Sequence, residues 1–147
     1  MLRKIVPLTL IVAIALSVLS LPASAADLQS SLDGFLSALP ADFETIAGKT
    51  VAAKQNAGEN LFVLDVREAD EFKAGHIEGA VNIPIRTLAK NGPKLPQDKA
   101  TPIAVVCKSG IRAAYGTMTL KLFGYTNVKD LQGGMLAWEK DSLPIVK

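Results

Sequence analysis

The chain has 147 residues, 49% of them hydrophobic, which suits one globular domain and excludes a disordered polar chain. Sixteen Lys and Arg against 14 Asp and Glu leave a formal charge of +2, so there is no basic field for nucleic acid and no acidic tail. One cysteine, Cys107, and one histidine, His76, preclude an internal disulfide and leave a Cys/His zinc site without ligands.

The chain opens Met1-Leu2-Arg3-Lys4, runs apolar from Ile5 to Leu21 and ends that stretch in Pro22-Ala23-Ser24-Ala25-Ala26. A basic start, an apolar middle and an A-x-A end describe a secretory signal peptide over residues 1–25, cut after Ala25. The expected location is periplasmic or secreted. An uncleaved membrane anchor is the alternative, because the apolar stretch is close to the shortest that spans a bilayer. Pro7, Thr9, Ser17 and Ser20 dilute it, and Ala23-Ser24-Ala25 favours cleavage. Loss of Arg3 and Lys4 leaves residues 26–147 formally neutral.

Residues 26–60 read as a helical segment. Leu28, Leu32, Phe35, Leu36 and Leu39 recur at helical spacing until Pro40, and a second helix is predicted from about Phe43 to Ala57, closed by Gly58. The core is expected over residues 61–147, with 43–57 packing on it. Leu61 to Val66 is a continuous apolar run ending near an acid, as in a strand covered on both faces. A short helix follows from Glu68 to Lys73, with Gly75 as a left-handed cap. Ala80 to Pro84 reads as a strand, Arg86 to Lys90 as one or two helical turns, and Asn91 to Pro96 as a loop. Pro102 to Cys107 is the next strand. Arg112 to Phe123 is helical, with Ala114, Met118 and Leu122 on one stripe and Gly124 as the cap. Asn127 to Leu131 is a brief strand, and Gly133-Gly134 turns into a last helix. Short apolar strands alternating with helices predict an α/β domain with a mainly parallel sheet.

Cys107 stands at the carboxyl end of a predicted buried strand, where open α/β sheets bind ligands. Lys108-Ser109-Gly110-Ile111-Arg112 follow, and then a helix. Such a turn directs backbone N–H groups toward a common point and the helix adds its positive end. Lys108 and Arg112 add charge, and Gly110 lets the backbone curl. Together these lower a thiol pKa. A packed, inert cysteine is the plain alternative, but it leaves two cations and a glycine within five residues unexplained.

Four pieces, in this order, carry a resemblance to the rhodanese family of sulfurtransferases in its single-domain form. They are Leu64-Asp65-Val66-Arg67 with Glu71-Phe72; Gly75-His76-Ile77-Glu78-Gly79-Ala80 leading to Asn82-Ile83-Pro84; Cys107-Lys108-Ser109-Gly110-Ile111-Arg112; and Gly133-Gly134-Met135-Leu136-Ala137-Trp138. They cover about Leu61 to Leu143. The resemblance implies a rhodanese-like fold with helices on both faces of the sheet. It also implies that Cys107 is the nucleophile and passes through a persulfide, and that the loop from Lys108 to Arg112 binds the sulfur. The donor implied is thiosulfate or a similar compound, and the acceptor cyanide, a small thiol or a protein. Relatives acting on phosphate or arsenate have a loop one residue longer, whereas Arg112 follows Cys107 by five positions. Ser109 stands where thiosulfate enzymes often carry a second basic residue.

Asp65 and Arg67 are expected to pair with each other or to orient the loop through Arg112, and Arg86 to line the pocket. His76 is expected in a turn of the fold, Trp138 as a core anchor, and Tyr115 and Tyr125 in packing. The expectation is an enzyme working as a monomer without metal or organic cofactor, with membrane contact only through an uncleaved leader. Two other classes are a persulfide carrier or partner-binding module without turnover, and a phosphatase or arsenate reductase, which the short loop disfavours.

Overall fold

A computed structural model describes residues 25–147; the expected signal segment falls almost wholly on residues 1–24, outside them. The elements in chain order are α1 (Ala25–Ser37), β1 (Thr45–Ile46), α2 (Gly48–Asn56), β2 (Phe62–Asp65), α3 (Ala69–Ala74), β3 (Val81–Asn82), two 3-10 turns (Ile85–Lys90 and Gly92–Lys94), β4 (Ile103–Val106), α4 (Ile111–Leu122), β5 (Val128–Leu131) and α5 (Gly134–Lys140). The strands form one sheet in the order β1-β5-β4-β2-β3, with every pairing parallel. This is the α/β architecture that the alternation predicts.

Side chains on a strand alternate between faces, and the core follows that period. Ile103, Val105 and Cys107 enter one cluster, with Leu64 of β2 and Ala113 and Leu120 of α4. Ala104 and Val106 enter the other, with Val63 of β2, Val51 of α2, and Met135 and Trp138 of α5. Both faces of β4 are covered, which is why it reads as an unbroken apolar run. The alternation also turns Cys107 toward α4. Trp138 is the expected anchor: it is buried, and its Nε1–H donates to Pro144 O at 2.8 Å. Among the described residues no helix is long and apolar enough to cross a membrane.

The structure departs from the sequence expectations in four places. The second helix begins at Gly48, not near Phe43. Phe43 and Glu44 instead take left-handed φ values of 49° and 57°, and the chain then lays β1 beside β5, with Thr45 opposite Asp130. A two-residue strand carries no readable period. Gly75 is extended, with φ at 162°, so it is not a left-handed cap. Space demands the glycine there: a Cβ would stand 2.9 Å from Ile145 Cγ2. The buried face of α4 is Ala113, Gly116, Thr117 and Leu120, one step round from the expected stripe. Ala114 and Leu122 are exposed and Met118 is half-buried. Tyr125 packs as expected, with its hydroxyl donating to Pro96 O at 2.7 Å, but Tyr115 is 62% exposed.

Candidate active site

The backbone after β4 is held from behind. Met135 N–H donates to Cys107 O at 2.8 Å and Leu136 N–H to Lys108 O at 3.0 Å. Both donors lie in the first turn of α5, where helical N–H groups have no partner within the helix. Gly134 makes this approach possible. Its φ is +59°, and a Cβ there would strike Cys107 O and come within 2.7 Å of Lys108 C. With the loop carbonyls turned toward α5, Gly110 swings its amide the other way, and its N–H reaches Cys107 Sγ at 3.1 Å. Gly110 does so with φ at 99°, a left-handed value that suits glycine, while serving as the N-cap of α4. Among the described residues its amide is the only one hydrogen-bonded to the sulfur. The positive end of α4 begins one residue later.

Lys108, Ser109 and Ile111 are exposed around this loop, whereas Cys107 is only 1% exposed. Lys108 makes no ion pair among the described residues. Arg112 is committed: its Nη1 and Nη2 donate to Glu71 Oε2 and Oε1 at 2.6 and 2.8 Å. The same Glu71 accepts the Glu68 N–H at 3.1 Å and closes the capping box of α3. The Arg112 hydrogen bonds hold the Glu71 carboxyl down at about 2, against a raising effect of burial. Arg112 is pushed further above its ordinary value, by Glu71 first, with burial opposing and a Cys107 thiolate adding to the rise.

Sequence reasoning left Asp65 and Arg67 two roles, and the structure shows the mutual pair. Arg67 donates through Nε and Nη2 to Asp65, the shortest contact being 2.6 Å, and reaches Gly75 O at 2.8 Å. Both side chains are buried at the end of β2, and the partner of Arg112 is Glu71 instead. Glu71 stood within a family piece without a role; its only local signal was a Glu three residues beyond a helix start. Arg86 is exposed in the 3-10 turn after Pro84, without an ion pair among the described residues. His76 is a fold element: it stacks on Phe72, its Nδ1 lies 3.0 Å from Phe72 O, and its backbone bridges to Val146. Asp130 was not singled out from sequence, yet it borders the loop. Its Oδ2 is 3.7 Å from where a Gly110 Cβ would sit. Burial alone pushes its carboxyl up to about 6.

Comparison with known proteins places the fold in a family. Thiosulfate sulfurtransferase 16, chloroplastic, of Arabidopsis thaliana is 40% identical over 91 residues, covering 55% of this chain and 76% of that protein. A sulfurtransferase of Allochromatium vinosum is 31% identical over 88 residues, covering 60% and 80%. The MoeZ protein of Mycobacterium tuberculosis, whose name joins an adenylyltransferase to a sulfurtransferase, is 34% identical over 105 residues; the match takes in 66% of this chain but only 26% of MoeZ. The crystal structure of a rhodanese-related protein from Thermoplasma volcanium superposes with a TM-score of 0.63 at 31% identity, over 70% of this chain and 97% of that one. A family model described as the rhodanese-like domain matches residues 48–141, from the start of α2 to the end of α5. The chain belongs to the rhodanese-like domain family.

Proposed function

We propose that the chain is a sulfurtransferase that carries sulfane sulfur on Cys107. The family and its named sulfurtransferase members support the reaction class. The observation that carries the residue assignment is the Gly110 N–H 3.1 Å from Cys107 Sγ, within the four-residue turn between β4 and the positive end of α4. An N–H aimed at sulfur is placed to stabilise the persulfide anion formed on transfer.

In the first half-reaction the Cys107 thiolate attacks the outer sulfur of thiosulfate. The new S–S bond forms as the bond to the sulfonate sulfur breaks, and sulfite leaves with the electron pair. In the second, cyanide or a thiolate attacks the terminal persulfide sulfur, and the Cys107 thiolate is released. Two half-reactions through one covalent intermediate imply ping-pong kinetics. Lys108 and the helix end are the local positive groups for a dianionic donor, since Arg112 already neutralises Glu71.

The test pairs turnover with mass. Thiosulfate should add about 32 Da at Cys107, one sulfur atom, and cyanide should remove it. Cys107→Ser should abolish both the adduct and multiple turnover. An adduct elsewhere, or turnover surviving in Cys107→Ser, would refute the assignment. The MoeZ relative, whose name joins an adenylyltransferase to a sulfurtransferase, favours a second reading, a persulfide carrier that hands sulfur to a protein partner. A stoichiometric adduct without multiple turnover on small acceptors would select it. Export rests on the N-terminal sequence, and a mature protein beginning at Ala26 in the same mass spectrum would establish cleavage.

A further inference from the structure

Gly110 touches both the sulfur and a buried acid. Its N–H meets Cys107 Sγ at 3.1 Å, and the Asp130 carboxylate lies 3.7 Å (Oδ2) and 4.0 Å (Oδ1) from where a Gly110 Cβ would sit. With the bonds of one residue spanning the gap, that carboxylate is at most about 9 Å from Sγ. The sulfur chemistry described above gives Asp130 no part, yet a charge this close acts on whatever anion the loop holds.

The neighbours of Asp130 leave its charge uncompensated. Across the sheet it stands beside Thr45 of β1 and Val105 of β4, neither of them charged. Glu44, just before β1, accepts the Asp130 backbone N–H at 2.7 Å. The Glu44 carboxylate takes Lys121 of α4 at 2.6 Å and Lys129 of β5 at 2.9 Å. Burial would raise Glu44, but these two lysines hold it below its ordinary value. The other titratable side chains of α4 are Arg112, bound to Glu71, and Tyr115, whose side chain lines the same cavity wall as Asp130. In the loop, Lys108 is exposed, and the start of α5 brings the uncharged Gly133. Asp130 Oδ1 is buried and receives no hydrogen bond among the described residues.

A buried charge without a counter-ion repels an anion in proportion to that anion's charge, and salt screens it poorly. We propose, on the sulfurtransferase reading above, that Asp130 is a specificity-determining residue of the Cys107 site: its carboxylate disfavours the thiosulfate dianion relative to a sulfane-sulfur donor with one negative charge, such as an organic thiosulfonate. The chemical step is the same for both. The Cys107 thiolate forms an S–S bond to the outer sulfur, the donor's own S–S bond breaks, and sulfite or sulfinate leaves with the electron pair. Only the charge brought to the loop differs. Burial pushes the Asp130 carboxyl up to about 6, so discrimination is nearly full at about pH 7.5 and largely gone at about pH 5.

The test is the second-order rate constant for gain of one sulfur atom at Cys107, followed by mass with thiosulfate and with benzenethiosulfonate. Their ratio cancels the titration of the thiol, which both donors share. In the unaltered protein the thiosulfate-to-thiosulfonate ratio should rise roughly three- to tenfold from about pH 7.5 to about pH 5, as one unit of charge at this distance requires. In Asp130→Asn it should already stand at the acid value at pH 7.5 and stay flat. A ratio that does not change with pH in the unaltered protein would overturn the proposal while leaving sulfur transfer intact. A rise that persists in Asp130→Asn would also overturn it, by giving the effect to another group. No adduct from either donor would overturn the sulfurtransferase reading and this proposal with it. The pH comparison stands on the unaltered protein even if Asp130→Asn fails to fold.

Discussion

Two carboxylates flank the Cys107 loop and have opposite fates. Glu71, on the α3 side, grips Arg112 through both oxygens and caps its own helix, and its carboxyl lies at about 2. Asp130, on the β5 side, is buried beside Gly110 with one oxygen unpaired, and its carboxyl lies at about 6. Glu71 is half-buried and Asp130 is buried, so burial acts on both. A fixed cation makes the difference, overcoming burial in one and leaving it unopposed in the other. The loop is therefore clamped on one flank by a compensated charge. On the other it meets a charge that the fold tolerates at a cost.

The largest effect should come from the backbone that holds the loop between these flanks. Gly134→Ala places a methyl against Cys107 O and Lys108, at a left-handed φ of +59°. Overpacking against backbone and the left-handed penalty together should cost about 2–4 kcal/mol. Urea unfolding should show it, and a loss under about 1 kcal/mol would mean that the α5 start does not hold the loop. Glu71→Gln should come next, at about 1–2 kcal/mol near neutral pH, discounted because its side chain is 29% exposed. The folded carboxyl lies below the ordinary 4.5, so its contribution is full above 4.5 and disappears as pH falls through about 2. The stability gap between Glu71→Gln and the parent should close over that window.

Asp130 reverses the sign. Its folded value of about 6 lies above the ordinary 3.8, so between these values the folded state holds more protons than the unfolded chain. Stability therefore falls as pH rises through that window and stays lower above it. Asp130→Asn removes the charge and keeps the shape. It should gain about 1 kcal/mol at pH near 7, and the gain should vanish below 3.8. A loss at neutral pH would show that Asp130 has a favourable partner and would dissolve the contrast with Glu71.

How much of this was legible depended on the scale of the signal. Cys107 and its loop could be read because the turn chemistry is contiguous: strand end, Lys108, Gly110, Arg112, helix. The sheet could be read from apolar runs such as Ile103 to Val106. Glu71 and Asp130 could not, because their meaning depends on neighbours 41 residues away in one case and on burial in the other. β1 is too short for a period, and its path depends on left-handed Phe43 and Glu44, residue types that do not announce that conformation. The α4 stripe failed for a related reason. Ala113, Gly116, Thr117 and Leu120 are a poorer hydrophobic signal than Ala114, Met118 and Leu122, yet small residues let α4 approach the sheet. A Cβ on Gly116 would already stand 3.1 Å from Val105 Cγ1.

The smallest expected effect concerns the cation left over once Glu71 has taken Arg112. Lys108 is exposed, so its attraction for an incoming anion is screened. Lys108→Ala should raise the apparent KM for thiosulfate roughly two- to fivefold, in line with an exposed charge pair. For an organic sulfur donor without net charge the change should be near zero, because no dianion is being drawn in. Added salt should shrink the difference between the two proteins for thiosulfate. Releasing Arg112 offers a cross-check: in Glu71→Gln the guanidinium is no longer neutralised, so the effect of Lys108→Ala on thiosulfate KM should become smaller still. Equal KM changes on charged and uncharged donors would instead make Lys108 a determinant of loop shape, and the charge balance drawn between the two flanks would not govern donor binding.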